Sequence, residues 1–124
     1  MKALIIDDSS SMRMLLGRIL DDLGVQHAQA ADGREALQVL EHDGPFDFAL
    51  VDWQMPVMDG IEFVRAVREL LPREAIQLVM VTSVNQIESI VEALGAGADE
   101  YIMKPFTKDA LQEKLALLGI ELGP

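Results

Sequence analysis

Cysteine is absent from this sequence of 124 residues. That removes disulfides, thiolate metal sites and thiol catalysis together, and leaves the redox compartment unmarked. Positive charge is scarce: 10 Lys and Arg stand against 21 Asp and Glu, a net charge of -11. A chain this acidic is a poor match for a nucleic-acid backbone, which needs clustered cations, and for an anionic membrane surface. Long apolar runs are missing too, and a spanning helix needs about 20 apolar residues. No cleavable leader precedes the first apolar run, which begins just after Met1-Lys2, so a cytoplasmic protein is expected. Repeats, low-complexity tracts and Gly/Ser-rich linkers are lacking as well. The length suits one domain with one sizeable core.

What the chain does have is a regular alternation. Ala3-Leu4-Ile5-Ile6, Phe48-Ala49-Leu50-Val51 and Leu78-Val79-Met80-Val81 are continuously apolar, as parallel strands covered on both faces are. Val25 to Ala30 and Ala98 to Met103 are mixed in polarity, which suits edge strands. Five stretches of helical period separate or follow these runs. The first places Met12, Leu15, Leu16, Ile19, Leu20 and Leu23 on one stripe, with caps expected at Ser9 to Ser11 and a stop at Gly24. The second follows Asp32-Gly33 and ends before Gly44-Pro45, and the third follows Asp59-Gly60 and is closed by Pro72. The fourth runs from Asn85 with Ile87, Ile90, Val91 and Leu94 on its stripe, stopped by Gly95 and Gly97; the fifth follows Thr107 and stops at Gly119. Five β-α units predict an α/β fold: a (βα)5 doubly wound, five-stranded parallel sheet with helices on both faces. Two polar edges and three apolar centres fit the flavodoxin-like strand order 2-1-3-4-5.

In such sheets the functional crevice lies beyond the carboxyl ends of the central strands. Asp7-Asp8 follow the first strand, Asp52 the third, Thr82-Ser83 the fourth and Lys104-Pro105 the fifth. Singly, each has an ordinary structural explanation, since acids and hydroxyls favour helix starts and a lysine favours solvent. Together they bring three carboxylates, a hydroxyl and an ammonium to one place. Two carboxylates ~4 Å apart repel by ~4 kcal/mol at an effective dielectric of ~20, so three beside one lysine call for a further cation. Magnesium suits oxygen ligands and leaves a position for a phosphoryl oxygen. In this reading Asp7 and Asp8 hold the metal, and Asp52 is a nucleophile that forms an aspartyl phosphate. Thr82 and Lys104 serve the phosphoryl oxygens, while small Ser83 leaves the approach open.

Asp7-Asp8, Asp52-x-x-Met55-Pro56-x-Met58-Asp59-Gly60, Thr82-Ser83 and Lys104-Pro105-Phe106 resemble the CheY-like receiver domains of two-component response regulators. The resemblance spans the whole of 1–124 as one receiver domain without an output domain. It implies a phosphorylation-activated switch in which Asp52 takes its phosphoryl group from a sensor histidine kinase. It also implies that Asp8, Asp52 and the backbone carbonyl of Gln54 bind Mg2+, with Asp7 acting through water. Lys104 would pair with the phosphoryl group and form a cis bond to Pro105, Thr82 would move to its oxygens, and Tyr101 would swing inward. The altered surface of the fourth helix, fifth strand and fifth helix would then meet an effector protein, in chemotaxis if the segment around Asp52 is a guide. Such a protein is not an enzyme beyond Mg2+-dependent self-phosphorylation and slow autodephosphorylation. It is a monomer or a weak phosphorylation-dependent dimer. Gln54, where Asn is common, and Val84 are departures at positions that tune loss of the phosphoryl group.

Other readings are open at this stage. A receiver cut from a DNA-binding regulator or hybrid kinase would carry the same motifs. An aspartate-nucleophile phosphatase would want Asp-x-Asp and a cap insertion, and a flavin or nucleotide site would want glycines after the first strand. Trp53 reads as a flank of the cleft, Asp59-Gly60 as a turn and helix start without chemistry. His27 and His42 have no Cys or second His nearby in the sequence, and neither is expected to ligate a metal.

Overall fold

A computed structural model describes residues 1–83, 87–104 and 106–120. Its elements run β1 (Lys2–Ile6), α1 (Ser10–Asp22), β2 (Gln26–Ala30), α2 (Gly33–Asp43), β3 (Phe48–Asp52), α3 (Gly60–Leu70), β4 (Gln77–Thr82), α4 (Ile87–Ala96), β5 (Glu100–Met103) and α5 (Lys108–Leu117). The strands form one parallel sheet in the order β2-β1-β3-β4-β5. This is the flavodoxin-like order expected from the polarity of the five runs. The three continuously apolar strands are central because both of their faces are covered. Leu4, Ile6, Ala49, Val51, Leu78 and Met80 pack with residues of α2, α3 and α4. Ala3, Ile5, Phe48, Leu50, Val79 and Val81 pack with Leu16 and Leu20 of α1 and Leu111 and Leu115 of α5.

Local signals set the helix ends. Ser9, Asp32, Asp59 and Thr107 each accept a backbone N–H from the first turn of α1, α2, α3 and α5, satisfying a donor that the helix itself leaves open. Asp59 and Glu62 form a full capping box. Leu71, ahead of Pro72, is forced into extended backbone (φ -134, ψ 133) and ends α3.

Several details differ from the sequence expectation. Gly95 does not stop α4, which runs on to Ala96 and ends before Gly97, whose φ of +123 needs a residue without a Cβ. β5 begins at Glu100 and β2 at Gln26, each later than expected. Leu15 is 51% exposed, because it lies about 120° round α1 from the middle of the buried Leu16–Leu20 pair. Val91 is 62% exposed, for α4 meets the core through Ala93, about 160° away. Leu94 and Leu71 are exposed as well. Asn85 as a helix start and the side chain of Ile87 lie outside the described residues.

Candidate functional site

The register of the sheet gathers the residues that end its strands. Ile6 pairs with Val51, Asp52 with Val81 and Thr82 with Met103. Asp7 therefore leaves β1 beside Asp52 at the end of β3, with Thr82 ending β4 on the other side. The backbone N–H of Lys104 donates to the carbonyl of Thr82 at 2.7 Å, which fixes the lysine at the same rim. The cleft formed there has a volume of about 320 Å3 and is lined by Asp8, Asp52, Trp53, Gln54, Thr82, Ser83 and Lys104.

Asp7 is buried, Asp8 is exposed and Asp52 lies between them in accessibility. One carboxylate oxygen from each can be chosen so that all three lie within 4.8 Å of one another. At that separation each charged pair costs about 3 kcal/mol at an effective dielectric of ~20. A single ammonium answers them: Lys104 Nζ is 3.2 Å from Asp7 Oδ2 and 3.3 Å from Asp52 Oδ1. Backbone donors add to the compensation, for Ser9 N–H donates to Asp7 Oδ1 at 2.9 Å and Trp53 N–H to Asp52 Oδ1 at 3.0 Å. Burial, then the neighbouring Asp7, raises Asp52 above the usual carboxylate range, against the pull of Lys104. Burial works against the charge on Lys104, yet Asp52 and Asp7 together outweigh it and hold its ammonium above the usual lysine value. Three carboxylates against one ammonium leave a surplus of negative charge. The donors are all oxygens, so the site fits a hard divalent cation such as Mg2+.

Most of the residues singled out in the sequence come together here. Asp7, Asp8, Asp52 and Lys104 meet; Thr82 is buried and Ser83 exposed in the same cleft, with Gln54 and Trp53 on its wall. Tyr101 stands apart, half-buried with the core beneath α2, α3 and α4. Val84 and the bond from Lys104 to Pro105 lie outside the described residues. His27 packs over Gly17 of α1 and places Nε2 2.9 Å from Asp21.

Two contributors escaped the sequence reading. Arg13 reaches back from α1 and donates to the backbone carbonyl of Asp7 at 2.7 Å, steadying the end of β1. Gly60 does more than start a helix. A Cβ there would lie 2.3 Å from the carbonyl oxygen of Asp52, and its N–H donates to Trp53 O at 3.0 Å. Gly60 stood in the sequence within the motif that begins at Asp52. Asp-Gly reads as a turn in any sequence, however, and nothing local revealed its close approach to the Asp52 carbonyl.

The chain is similar to known proteins in sequence and in fold. A family model described as "Response regulator receiver domain" matches residues 3–116. Over 116 residues the chain is 45% identical to the chemotaxis protein CheY of Pseudomonas aeruginosa, covering 93% of each chain. It is 43% identical to chemotaxis protein CheY-3 of Vibrio cholerae, covering 93% of this chain and 88% of the other. Among solved structures, Vibrio cholerae CheY4 superimposes with a TM-score of 0.79 at 36% identity, covering 95% of both chains. A probable two-component response regulator/GGDEF domain protein superimposes with a TM-score of 0.89 at 28% identity, covering 94% of this chain. This chain spans about half the length of that protein, 48%.

Proposed function

Since the chain belongs to the response regulator receiver family and is a phosphorylation-activated signalling module, we propose that Asp52 is its phosphoryl acceptor and that the cleft works with Mg2+. The observation that carries this reading is the meeting of Asp7, Asp8 and Asp52 within 4.8 Å beside one lysine. A carboxylate oxygen of Asp52 attacks phosphorus, the bond to the donor's histidine nitrogen breaks, and that nitrogen keeps the electron pair. Lys104, already paired with Asp52, lies within reach of a group attached there and offers its N–H donors to the new oxygens. Thr82 supplies a hydroxyl from the end of β4, and Ser83 leaves the approach open. Asp8, Asp52 and the backbone carbonyl of Gln54 would hold Mg2+, with Asp7 acting through water. Bound there, the metal would neutralise charge on the oxygens of the transferring group.

The donor in this reading is a sensor histidine kinase, and the compartment is the cytoplasm. Among the described residues no helix is long and apolar enough to cross a membrane. The output is a conformational change read by an effector protein, with Tyr101 as the aromatic switch between cleft and surface. Exposed Val91 and Leu94 on α4 supply the apolar part of the effector surface. The names of the CheY relatives favour chemotaxis as the setting. Turnover is confined to self-phosphorylation from a donor and slow loss of the phosphoryl group, tuned at Gln54 and Val84.

Trp53, the only tryptophan, reports on the cleft wall. Its emission is expected to change in a saturable way with Mg2+, and again when beryllofluoride mimics the phosphoryl group. A folded protein that responds to neither overturns the reading.

A further inference from the structure

Glu100 and Tyr101 are neighbours on β5 and leave the strand on opposite faces. Tyr101 packs with the core under α2, α3 and α4, whereas Lys114 belongs to α5 across the sheet. Lys114 nonetheless reaches round the open edge of β5. Its Nζ lies 4.5 Å from the centroid of the Tyr101 ring and 3.3 Å from Glu100 Oε1. The same carboxylate oxygen accepts the backbone N–H of Tyr101 at 3.0 Å. One atom thus steadies both the ammonium and the residue that carries the ring. The side chains of Lys114 and Glu100 are only 29% and 21% exposed, so water weakens these attractions less than at an open surface.

The register gives this contact a direction. Met80 pairs with Tyr101, and Thr82 with Met103, so Thr82 lies about 7 Å further along the sheet on the ring's own face. Glu100, with Lys114 beside it, is on the other side of Tyr101. A ring that travels toward Thr82 leaves the ammonium behind and forfeits the cation–π contact.

We propose that Lys114, steadied by Glu100, is a positioning residue that holds the Tyr101 ring at the sheet edge and so sets the balance of the switch. The proposal deepens the reading of Tyr101 as the aromatic switch and rests on it. Removing the ammonium favours the inward ring and makes a phosphoryl mimic bind more readily, because less opposing interaction has to be broken.

Tyr101 is the only tyrosine in the chain, so 3-fluorotyrosine gives a single fluorine resonance. In wild-type protein with Mg2+, beryllofluoride is expected to move that resonance as the ring relocates. Lys114→Gln is expected to shift the beryllofluoride-free resonance part of the way to the same position. It is also expected to lower the half-saturating beryllofluoride concentration about two- to fivefold, whereas Lys114→Arg stays near wild type. Lys114→Met, which keeps the packing of the stem, repeats the test if Lys114→Gln folds poorly. A wild-type resonance that moves while Lys114→Gln and Lys114→Met leave the midpoint unchanged overturns the latch alone. A wild-type resonance that never moves overturns the switch role of Tyr101, and the latch with it.

Discussion

The Nζ atom of Lys104 stands 3.3 Å from a carboxylate oxygen of Asp52, a residue 52 positions away in the sequence. The contact closes the cleft between β3 and β5, and it is shared, because Asp7 takes the same ammonium at 3.2 Å. Neither carboxylate has the lysine to itself. Burial, then Asp7, makes Asp52 hard to charge, and the shared lysine leaves a surplus of negative charge that makes the cleft receptive to a cation.

A consequence for stability follows from the direction in which Asp52 is shifted. Its value is raised in the folded protein, chiefly by burial and then by Asp7. The folded state therefore holds a proton at Asp52 more tightly than the unfolded chain does. The resulting stability is full below the ordinary aspartate value of about 4 and is lost as pH rises through the raised folded value. Asp52→Asn cannot charge and escapes that loss. In chelator at neutral pH the variant is expected to melt higher than wild type, by roughly 4 °C if ~1 kcal/mol is recovered. The gap should narrow as pH falls toward about 4. A variant that melts lower, or a gap that ignores pH, contradicts the assignment.

Gly60 tests whether the backbone around Asp52 is as confined as it looks. An alanine there would put Cβ 2.3 Å from the Asp52 carbonyl oxygen and 3.0 Å from the end of the Met80 side chain. Met80 can yield, but a strand carbonyl cannot move without taking Asp52 along. Gly60→Ala is expected to cost about 2 kcal/mol in denaturant unfolding. It should also weaken Mg2+ binding, followed by Trp53 emission, at least tenfold or so. Wild-type stability together with wild-type Mg2+ affinity would show that the contact is slack.

How much of this was readable beforehand depended on whether the signal was local. Three unbroken apolar runs marked β1, β3 and β4 as central strands, and strand order then carried Asp7, Asp8, Asp52, Thr82 and Lys104 to one rim without any knowledge of distances. Helical period was less informative, because it tells which residues are apolar and not how wide an arc the sheet covers. Leu15 and Val91 were placed on buried stripes for that reason, and both face outward. Asp99 shows the limit most clearly. In the sequence it was one acid within the Ala98 to Met103 run, read only as a mark of an edge strand. In the fold it accepts Arg68 Nη2 at 2.5 Å, Arg73 Nη1 at 2.6 Å and the backbone N–H of Leu78 at 2.7 Å. Those arginines are 31 and 26 positions away, so no short pattern could join them. The bond that pins the start of β5 to α3 and β4 is a product of topology alone.

The most direct measurement is covalent labelling. The protein is incubated with a small phosphodonor such as phosphoramidate, with Mg2+ or with chelator, and analysed by intact mass and peptide mapping. One phosphoryl group per chain is expected, located on Asp52, absent in chelator and absent in Asp52→Asn. Labelling that persists in Asp52→Asn, or maps to another residue, or a folded protein that takes no phosphoryl group at all, would contradict the account.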